Sequence, residues 1–174
     1  MTLEPTPDTA RPTILQEGAG MQTEHRSFLA VSAADRAAIE ALCIEYAWRI
    51  DNGFAETIPD LFTEAATWEG PHGVTRGREE LEALWGARAK RPGMTRHLIS
   101  NIRLARSAAG ELQGWVSFTL LSASPGSDPL PKPVLVADHI DTYDHGEDGI
   151  WRFASRRVLP LFHDGQFAPQ PAAR

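Results

Sequence analysis

Asp51 and His97 are far apart in the chain, yet their side chains have the chemistry of an acid/base pair. Asp51 falls in the last turn of a predicted helix, where a carboxylate meets the negative end of the helix dipole at a cost of about 0.3–1 kcal/mol. We therefore expect a compensating partner, and helical geometry directs this side chain away from the solvent face. An aspartate that merely begins the turn at Asn52-Gly53 is the structural alternative.

His97 begins the first of several predicted long strands. By the alternation of a strand, its side chain shares a face with Thr95, Ile99 and Asn101, and Asn101 is a candidate for substrate binding. If this face lines the interior, the imidazole lies opposite the end of the helix that carries Asp51. A carboxylate fixes the tautomer of such an imidazole and stabilises its charged form, which suits a general base near neutral pH. A core histidine bound to the backbone is the alternative.

Further candidates for a binding site are aromatic or charged. Tyr46 lies on the apolar stripe of the same helix, where its hydroxyl can reach a pocket or its ring can simply pack. Arg157, on the last predicted strand, can bind a buried carboxylate or an anionic substrate group, or can point outward. Flat apolar walls suited to an aromatic substrate, or ordinary core, are offered by Trp48, Trp68, Trp115 and Phe118.

His139 and Asp141 share a face of the third predicted long strand. His139 can serve there as a second acid, as a hydrogen-bond donor to a substrate oxygen, or as an outward polar residue. A site of two histidines and one carboxylate for a metal ion is the rival chemistry. We expect no metal and no cofactor, because the chain has no His-Glu-x-x-His, Cys-x-x-Cys or glycine-rich phosphate motif. The single cysteine, Cys43, lies on a buried stripe, where a nucleophilic role is not expected.

The elements that must position these residues begin with helices. Ser32 is a suitable N-cap for a helix that ends at Asn52-Gly53. Ile44 and Trp48 widen its apolar arc, so we expect the helix to be covered on most of its circumference. A short helix over 55–62, a brief strand around 67–69 and a helix from Gly77 to Pro92-Gly93 follow. The main apolar positions of the first helix are Ile39, Leu42, Cys43, Tyr46, Ile50 and Phe54.

The hydrophobic period then changes to two, which predicts strands over 95–106, 113–124, 133–143 and 150–161. Short connections between consecutive strands favour an antiparallel meander. Helices followed by strands indicate an α+β fold, in which the helices cover one face of a curved, mainly antiparallel sheet. Such a sheet encloses a cone that is either filled by side chains or left as a pocket.

Composition limits the class of protein. The chain has 174 residues, 42% of them apolar, a net charge of -6 and one cysteine, which predicts one globular domain over 28–163, a flexible leader over 1–27 and a C-terminal tail over 164–174. No apolar run or secretory signal is evident, so we expect a cytoplasmic protein without a membrane partner. Scattered basic residues argue against nucleic acid. We expect a small uncharged or weakly charged ligand.

Five segments follow one another in a recognisable order: YAWRIDNG at 46–53, LFTEAATW at 61–68, GRE at 77–79, RHLISN at 96–101 and DGIWRFASRR at 148–157. Together they resemble the SnoaL-like branch of the NTF2-like superfamily. The resemblance implies a cone-shaped α+β barrel with an internal pocket, as in scytalone dehydratase, hexachlorocyclohexane dehydrochlorinase and bile-acid 7α-dehydratase. In those lyases an Asp ending the first helix and a His beginning a long strand form the acid/base dyad, and Asp51 and His97 occupy those places.

The resemblance implies a cofactor-independent lyase that acts on a small hydrophobic, aromatic or alicyclic compound. His97, oriented by Asp51, would remove a proton, while Tyr46 or His139 assists a leaving group in a dehydration, a dehydrohalogenation or a loss of formaldehyde. Many relatives carry Tyr where this chain has His139. The scaffold also hosts isomerases, polyketide cyclases and the non-catalytic small subunits of ring-hydroxylating dioxygenases, so these functions stay open. The resemblance also implies a homodimer or homotrimer.

Overall fold

The computed structural model describes residues 30–71, 73–124, 126 and 132–165. The predicted leader over 1–27 and nearly all of the predicted tail lie outside the described residues, so both domain boundaries stay predictions. No helix of the described part is long and apolar enough to cross a membrane. The elements are helix α1 (Ala33–Asp51), a 3₁₀ helix (Ala55–Leu61), strands β1 (Phe62–Gly70) and β2 (Gly73–Arg76), helix α2 (Gly77–Ala89), and strands β3 (Met94–Arg106), β4 (Leu112–Ala123), β5 (Lys132–His145) and β6 (Trp151–His163).

The strands form one curved, unclosed sheet with the order β2-β1-β6-β5-β4-β3. The predicted meander of four long antiparallel strands is confirmed, from β3 through β6. The predicted brief strand is in fact the longer β1, which pairs parallel with β6 and antiparallel with β2, a strand that the sequence did not indicate. The helices pack on the sheet, so the predicted α+β class is correct.

Both predicted ends of α1 are confirmed. The Asp35 backbone N–H donates to the Ser32 side-chain oxygen at 3.0 Å, as in an N-cap. Gly53, just beyond the other end, has a φ of 86°, a left-handed conformation that favours glycine. The face of α1 that packs on the sheet buries Ile39, Leu42, Cys43, Tyr46, Ala47 and Ile50.

The expectation that α1 is covered on most of its circumference is wrong. Ile44 is 58% exposed, Trp48 is 50% exposed and Phe54 is 46% exposed. The helix contacts the sheet and the 3₁₀ helix from one side, and nothing in the described part of the chain forms a second layer outside it. Trp48 instead stacks on Phe54 with ring centroids 5.3 Å apart, so the two rings shield each other from water.

Two irregularities in the pairing of strands change which side chains face inward. In β3 the register shifts between Ser100 and Arg103, and Asn101 has a φ of 50°. In β6 the register shifts so that Phe153 and Arg156, three positions apart, are both buried. An extra residue in one strand moves every later side chain to the opposite face of the sheet. The simple alternation that predicts facing from sequence therefore fails beyond each bulge.

A buried ion pair fixes the centre of the structure. Arg156 binds Asp141 through two parallel hydrogen bonds, Nε to Oδ1 at 2.8 Å and Nη2 to Oδ2 at 2.7 Å, and their side chains are 1% and 0% exposed. The Tyr143 hydroxyl donates to Asp141 Oδ2 at 2.9 Å. The guanidinium also lies over the rings of Tyr46, at 4.2 Å, and Phe153, at 3.9 Å. This cluster joins α1 to strands β5 and β6.

The variant Asp141→Asn should destabilise the fold by about 3–5 kcal/mol, because it leaves the buried Arg156 charge without a counter-charge. Urea unfolding followed by circular dichroism measures the change. Asp148→Asn is the matched control, since Asp148 pairs with Arg152 at 2.8 Å on the surface and should leave the unfolding midpoint close to that of the wild type. Equal losses in the two variants would contradict a central role for the buried pair.

Candidate active site

A cavity of about 580 Å³ lies between the end of α1, helix α2 and the inner face of strands β3 to β5. This volume falls within the range of about 300–1,000 Å³ that is typical of small-molecule sites. Much of its wall is apolar and includes Ile50, Leu84, Phe118, Leu120, Leu135 and Val158. A smaller number of polar side chains reach the same space, and these decide what chemistry the cavity can perform.

Asp51 and His97 meet beside this cavity. His97 Nδ1 is 2.7 Å from Asp51 Oδ1, and the His97 backbone N–H donates to Asp51 Oδ2 at 2.7 Å. The Thr95 hydroxyl donates to Oδ1 at 2.9 Å, so three donors from alternate positions of β3 hold one carboxylate from the end of α1. The side chains of Asp51 and His97 are only 5% and 11% exposed. The pair is therefore ordered and largely shielded from solvent.

Electrostatics define how this pair is protonated. Burial alone would raise the pKa of Asp51, but the hydrogen bonds and charge of His97 outweigh burial and the pKa is lowered. The carboxylate therefore stays ionised. Because an ionised carboxylate only accepts hydrogen bonds, the proton on the His97 ring lies on Nδ1. Nε2 is left as the nitrogen that can accept a proton from a substrate.

Tyr46 contributes a hydroxyl to the cavity wall. Tyr46 is 3% exposed, and Trp68 Nε1–H donates to its hydroxyl oxygen at 3.2 Å. Burial raises the pKa of Tyr46 to about 12, against the opposing charge of Arg156. The hydroxyl is therefore protonated at neutral pH. Since Trp68 occupies one lone pair of the oxygen, the Tyr46 proton is free to turn toward a bound molecule.

His139 lines the deeper part of the wall. It is 2% exposed and stacks on Phe118 with ring centroids 4.2 Å apart. Burial and the positive charge of Arg156 lower the pKa of His139 well below its usual value, so the ring is neutral at pH 7. Within the described residues, His139 Nδ1 has no hydrogen-bond partner. Of the two roles expected for His139, the structure favours a neutral hydrogen-bonding group over a charged acid.

Four predicted site residues lie away from the cavity. Trp48 is on the outer side of α1, where it is half-exposed. Asn101 is exposed because the bulge in β3 turns it out, and Trp115 is on the outer face of β4, where its ring lies 5.0 Å from the Arg103 guanidinium. Arg157 faces outward because the bulge in β6 places Arg156 inside instead. Trp68 and Phe118 do line the cavity.

Sequence reasoning missed Arg156, Trp85 and Arg88. Arg156 gave no local signal, since only the bulge turns it inward. Trp85 carries a buried Nε1 that has no partner within the described residues, and it lines the cavity. Arg88 was detectable, because it continues the stripe of Leu81 and Trp85 at the spacing of a helix face.

The alternative hypothesis of a metal site had His139 and Asp141 as candidate ligands. In the structure both oxygens of Asp141 accept hydrogen bonds from Arg156, so the carboxylate already has a cationic partner. In the part of the chain that the structure describes, no three side chains of His, Cys, Asp or Glu gather in the manner of a metal centre.

Known proteins of similar structure share the fold at low sequence identity. Comparison with curated sequences found no protein significantly similar to this chain. A candidate scytalone dehydratase from Novosphingobium aromaticivorans is 21% identical with a TM-score of 0.67, and the match covers 81% of this chain and 95% of that one. ActVI-ORFA from Streptomyces coelicolor is 17% identical, with a TM-score of 0.64 and coverage of 72% and 96%.

A third solved structure is the beta subunit of a candidate aromatic-ring-hydroxylating dioxygenase from Novosphingobium aromaticivorans. It is 16% identical with a TM-score of 0.63, over 78% of this chain and 95% of that one. The sequence model of the SnoaL-like domain matches residues 31–157, which include α1, the described cavity-lining residues except Val158, and both members of the Asp51–His97 pair. The chain therefore belongs to the SnoaL-like domain family.

Proposed function

We propose that this protein is a cofactor-independent lyase that acts on a small hydrophobic, aromatic compound. The observation that carries the proposal is the 2.7 Å contact between His97 Nδ1 and an ionised Asp51 beside a largely apolar cavity. A buried, oriented imidazole with one free nitrogen is the arrangement that proton abstraction from carbon requires. The proposal keeps the homo-oligomeric state and the cytoplasmic location expected from the sequence.

The reaction begins when His97 Nε2 removes a proton from a carbon next to an activating group such as a carbonyl. The electron pair of that C–H bond forms the new C=C bond, and the bond to a leaving oxygen on the adjacent carbon breaks. Tyr46 donates a hydrogen bond to the departing oxygen, and the proton on the His97 imidazolium completes a water molecule. The substrate thus loses H and OH, and the imidazole returns to its neutral form.

The rest of the cavity supports such a step. Apolar walls exclude water from the reacting atoms, which strengthens the hydrogen bonds made there. Two buried nitrogens on lining residues, Trp85 Nε1 and His139 Nδ1, have no partner within the described residues. A buried polar nitrogen without a partner costs free energy, and an oxygen of a bound substrate can satisfy it.

The alternatives share parts of this site. Loss of halide, loss of formaldehyde, isomerisation and cyclisation can all use the same basic nitrogen, so the dyad alone does not choose among them. Elimination is favoured because Tyr46 supplies a protonated hydroxyl to a leaving group. A small subunit of a dioxygenase needs neither an open cavity nor an ordered dyad, and the presence of both supports an enzyme.

Substrates can be sought among small aromatic β-hydroxy and β-chloro ketones, both uncharged and with a carboxylate on the ring, whose elimination products are conjugated and absorb in the near ultraviolet. The purified chain is incubated with each compound in D₂O, while absorbance reports elimination and NMR reports deuterium entering at the α-carbon. Elimination supports the lyase. Exchange or double-bond migration without elimination would assign the dyad to an isomerase, and neither change with any compound would contradict the proposal.

His97→Gln should lower kcat with such a substrate by about 10²–10⁴-fold, because glutamine cannot accept the proton. Asp51→Asn should lower kcat for the related reason that the amide no longer fixes the proton of the ring on Nδ1. The matched control is His145→Gln, since His145 is exposed and contacts Trp151 away from the cavity. Full turnover by His97→Gln, in a protein whose circular dichroism matches the wild type, would remove the proposed base.

Tyr46→Phe should lower kcat by about 10²–10³-fold, the usual loss when one hydrogen-bond donor to a developing negative charge is removed. Since the pKa of Tyr46 is about 12, no loss of wild-type activity through this group is expected below about pH 10. Tyr143→Phe makes the same chemical change outside the cavity, where the hydroxyl binds Asp141, and should reduce stability while kcat is retained. Equal kcat losses in both variants would argue against a direct role for Tyr46.

A further inference from the structure

Two arginine residues, Arg88 and Arg91, line the cavity, and because Arg91 is exposed we call this end of the cavity its mouth. Arg88 lies in the last turn of α2, on the same face as Leu84 and Trp85, which also line the cavity. Arg91 lies two residues beyond the end of the helix and is exposed. The Arg88 Nη2 group donates to the Thr95 hydroxyl at 3.2 Å, and that hydroxyl in turn donates to Asp51. The cationic mouth is therefore joined to the acid/base pair by a chain of hydrogen bonds.

Neither guanidinium forms an ion pair within the part of the chain that the structure describes. Arg49, Arg78 and Arg106 are each bound to a carboxylate, but no described Asp or Glu lies within ion-pair distance of Arg88 or Arg91. No described acidic residue lines the cavity either. Two arginines that line a largely apolar cavity without a directly bound carboxylate are unexpected in a chain whose net charge is -6.

The partial burial of Arg88 carries a further free-energy cost. Arg88 is half-buried, and burial together with the charge of Arg91 lowers its pKa. Its planar head carries five N–H donors, and the Thr95 hydroxyl is the one acceptor found for them among the described residues. An arginine in the last turn also interacts favourably with the helix dipole, but an arginine whose side chain points outward would make the same interaction. The inward position of Arg88 is better explained by an anion that binds at the mouth.

We propose that the substrate carries a carboxylate, which Arg88 and Arg91 bind at the mouth while its apolar body extends along Phe118 and Leu120 toward His97. The charges at this end of the cavity are two guanidiniums and the Asp51 carboxylate, so one further negative charge balances them. A planar carboxylate also matches the fork of a guanidinium. This deepens the proposed function, and it replaces the expectation of an uncharged or weakly charged ligand with that of an organic monoanion.

The test compares two probes of nearly the same shape, 2-naphthoate and 2-naphthamide, by isothermal titration calorimetry with the full chain. The wild type should bind the acid at least about tenfold more tightly than the amide, since hydrogen bonds from a guanidinium to a charged carboxylate are stronger than those to a neutral amide. Arg88→Gln and Arg91→Gln should each reduce this preference, and the double variant should abolish it. Arg78→Gln, which removes an arginine distant from the cavity lining, should leave it unchanged.

Several outcomes would contradict the inference: equal binding of acid and amide, no binding of the acid at millimolar concentration, or a preference that survives in the double variant. Tighter binding of 2-naphthyl phosphate than of 2-naphthoate would assign the mouth to phosphate esters instead. Arg91→Gln alone keeps the test decisive if Arg88→Gln fails to fold, because Arg91 is exposed. The preference should persist in His97→Gln, so failure of the proposed lyase chemistry and failure of this inference are distinguishable.

Discussion

The site depends on a single carboxylate at an unfavourable place in a helix. Asp51 ends α1, where the helix dipole opposes a negative charge. Three hydrogen bonds from Thr95 and His97 compensate for that cost and lower the pKa of the carboxylate despite its burial. The same bonds fix the end of α1 against the start of β3. One interaction thus sets the distance between helix and sheet, the tautomer of the imidazole and the direction of its free nitrogen.

A second buried carboxylate holds a positive charge that contributes to the protonation state of His139. Asp141 holds the Arg156 guanidinium beneath the ring of Tyr46. Burial is the main cause of the lowered pKa of His139, and the positive charge of Arg156 is the second cause. The His139 ring therefore stays neutral. Burial meanwhile keeps the Tyr46 hydroxyl protonated. The cavity therefore combines one ionised acid at its edge with neutral donors deeper inside, a division of charge that suits proton removal at one end of a substrate and stabilisation of an oxygen at the other.

Much of this arrangement was predictable from sequence, because it depends on period and on the ends of elements. The cap at Ser32, the stop at Gly53 and the change of period after Gly93 located α1 and the long strands. The meeting of Asp51 with His97 followed from those ends together with the family resemblance. The facing of Asn101 and Arg157 was not predictable, because each lies at or beyond a bulge that reverses the alternation of its strand. The burial of Trp48 was predicted wrongly for another reason: the apolar character of a side chain does not show whether a second layer exists to cover it.

The bulge in β6 therefore determines which arginine of that strand is buried beside the cavity. With regular pairing, the inward position would fall to Arg157 rather than Arg156, and the guanidinium would not reach Asp141 and the ring of Tyr46 as it does here. The extra residue brings Phe153 and Arg156 to the same face, so that the cation lies between two aromatic rings and both of its bonded edges meet one carboxylate. Irregular pairing in the sheet is what allows a full positive charge to be buried beside the cavity, and that charge in turn helps to keep His139 neutral.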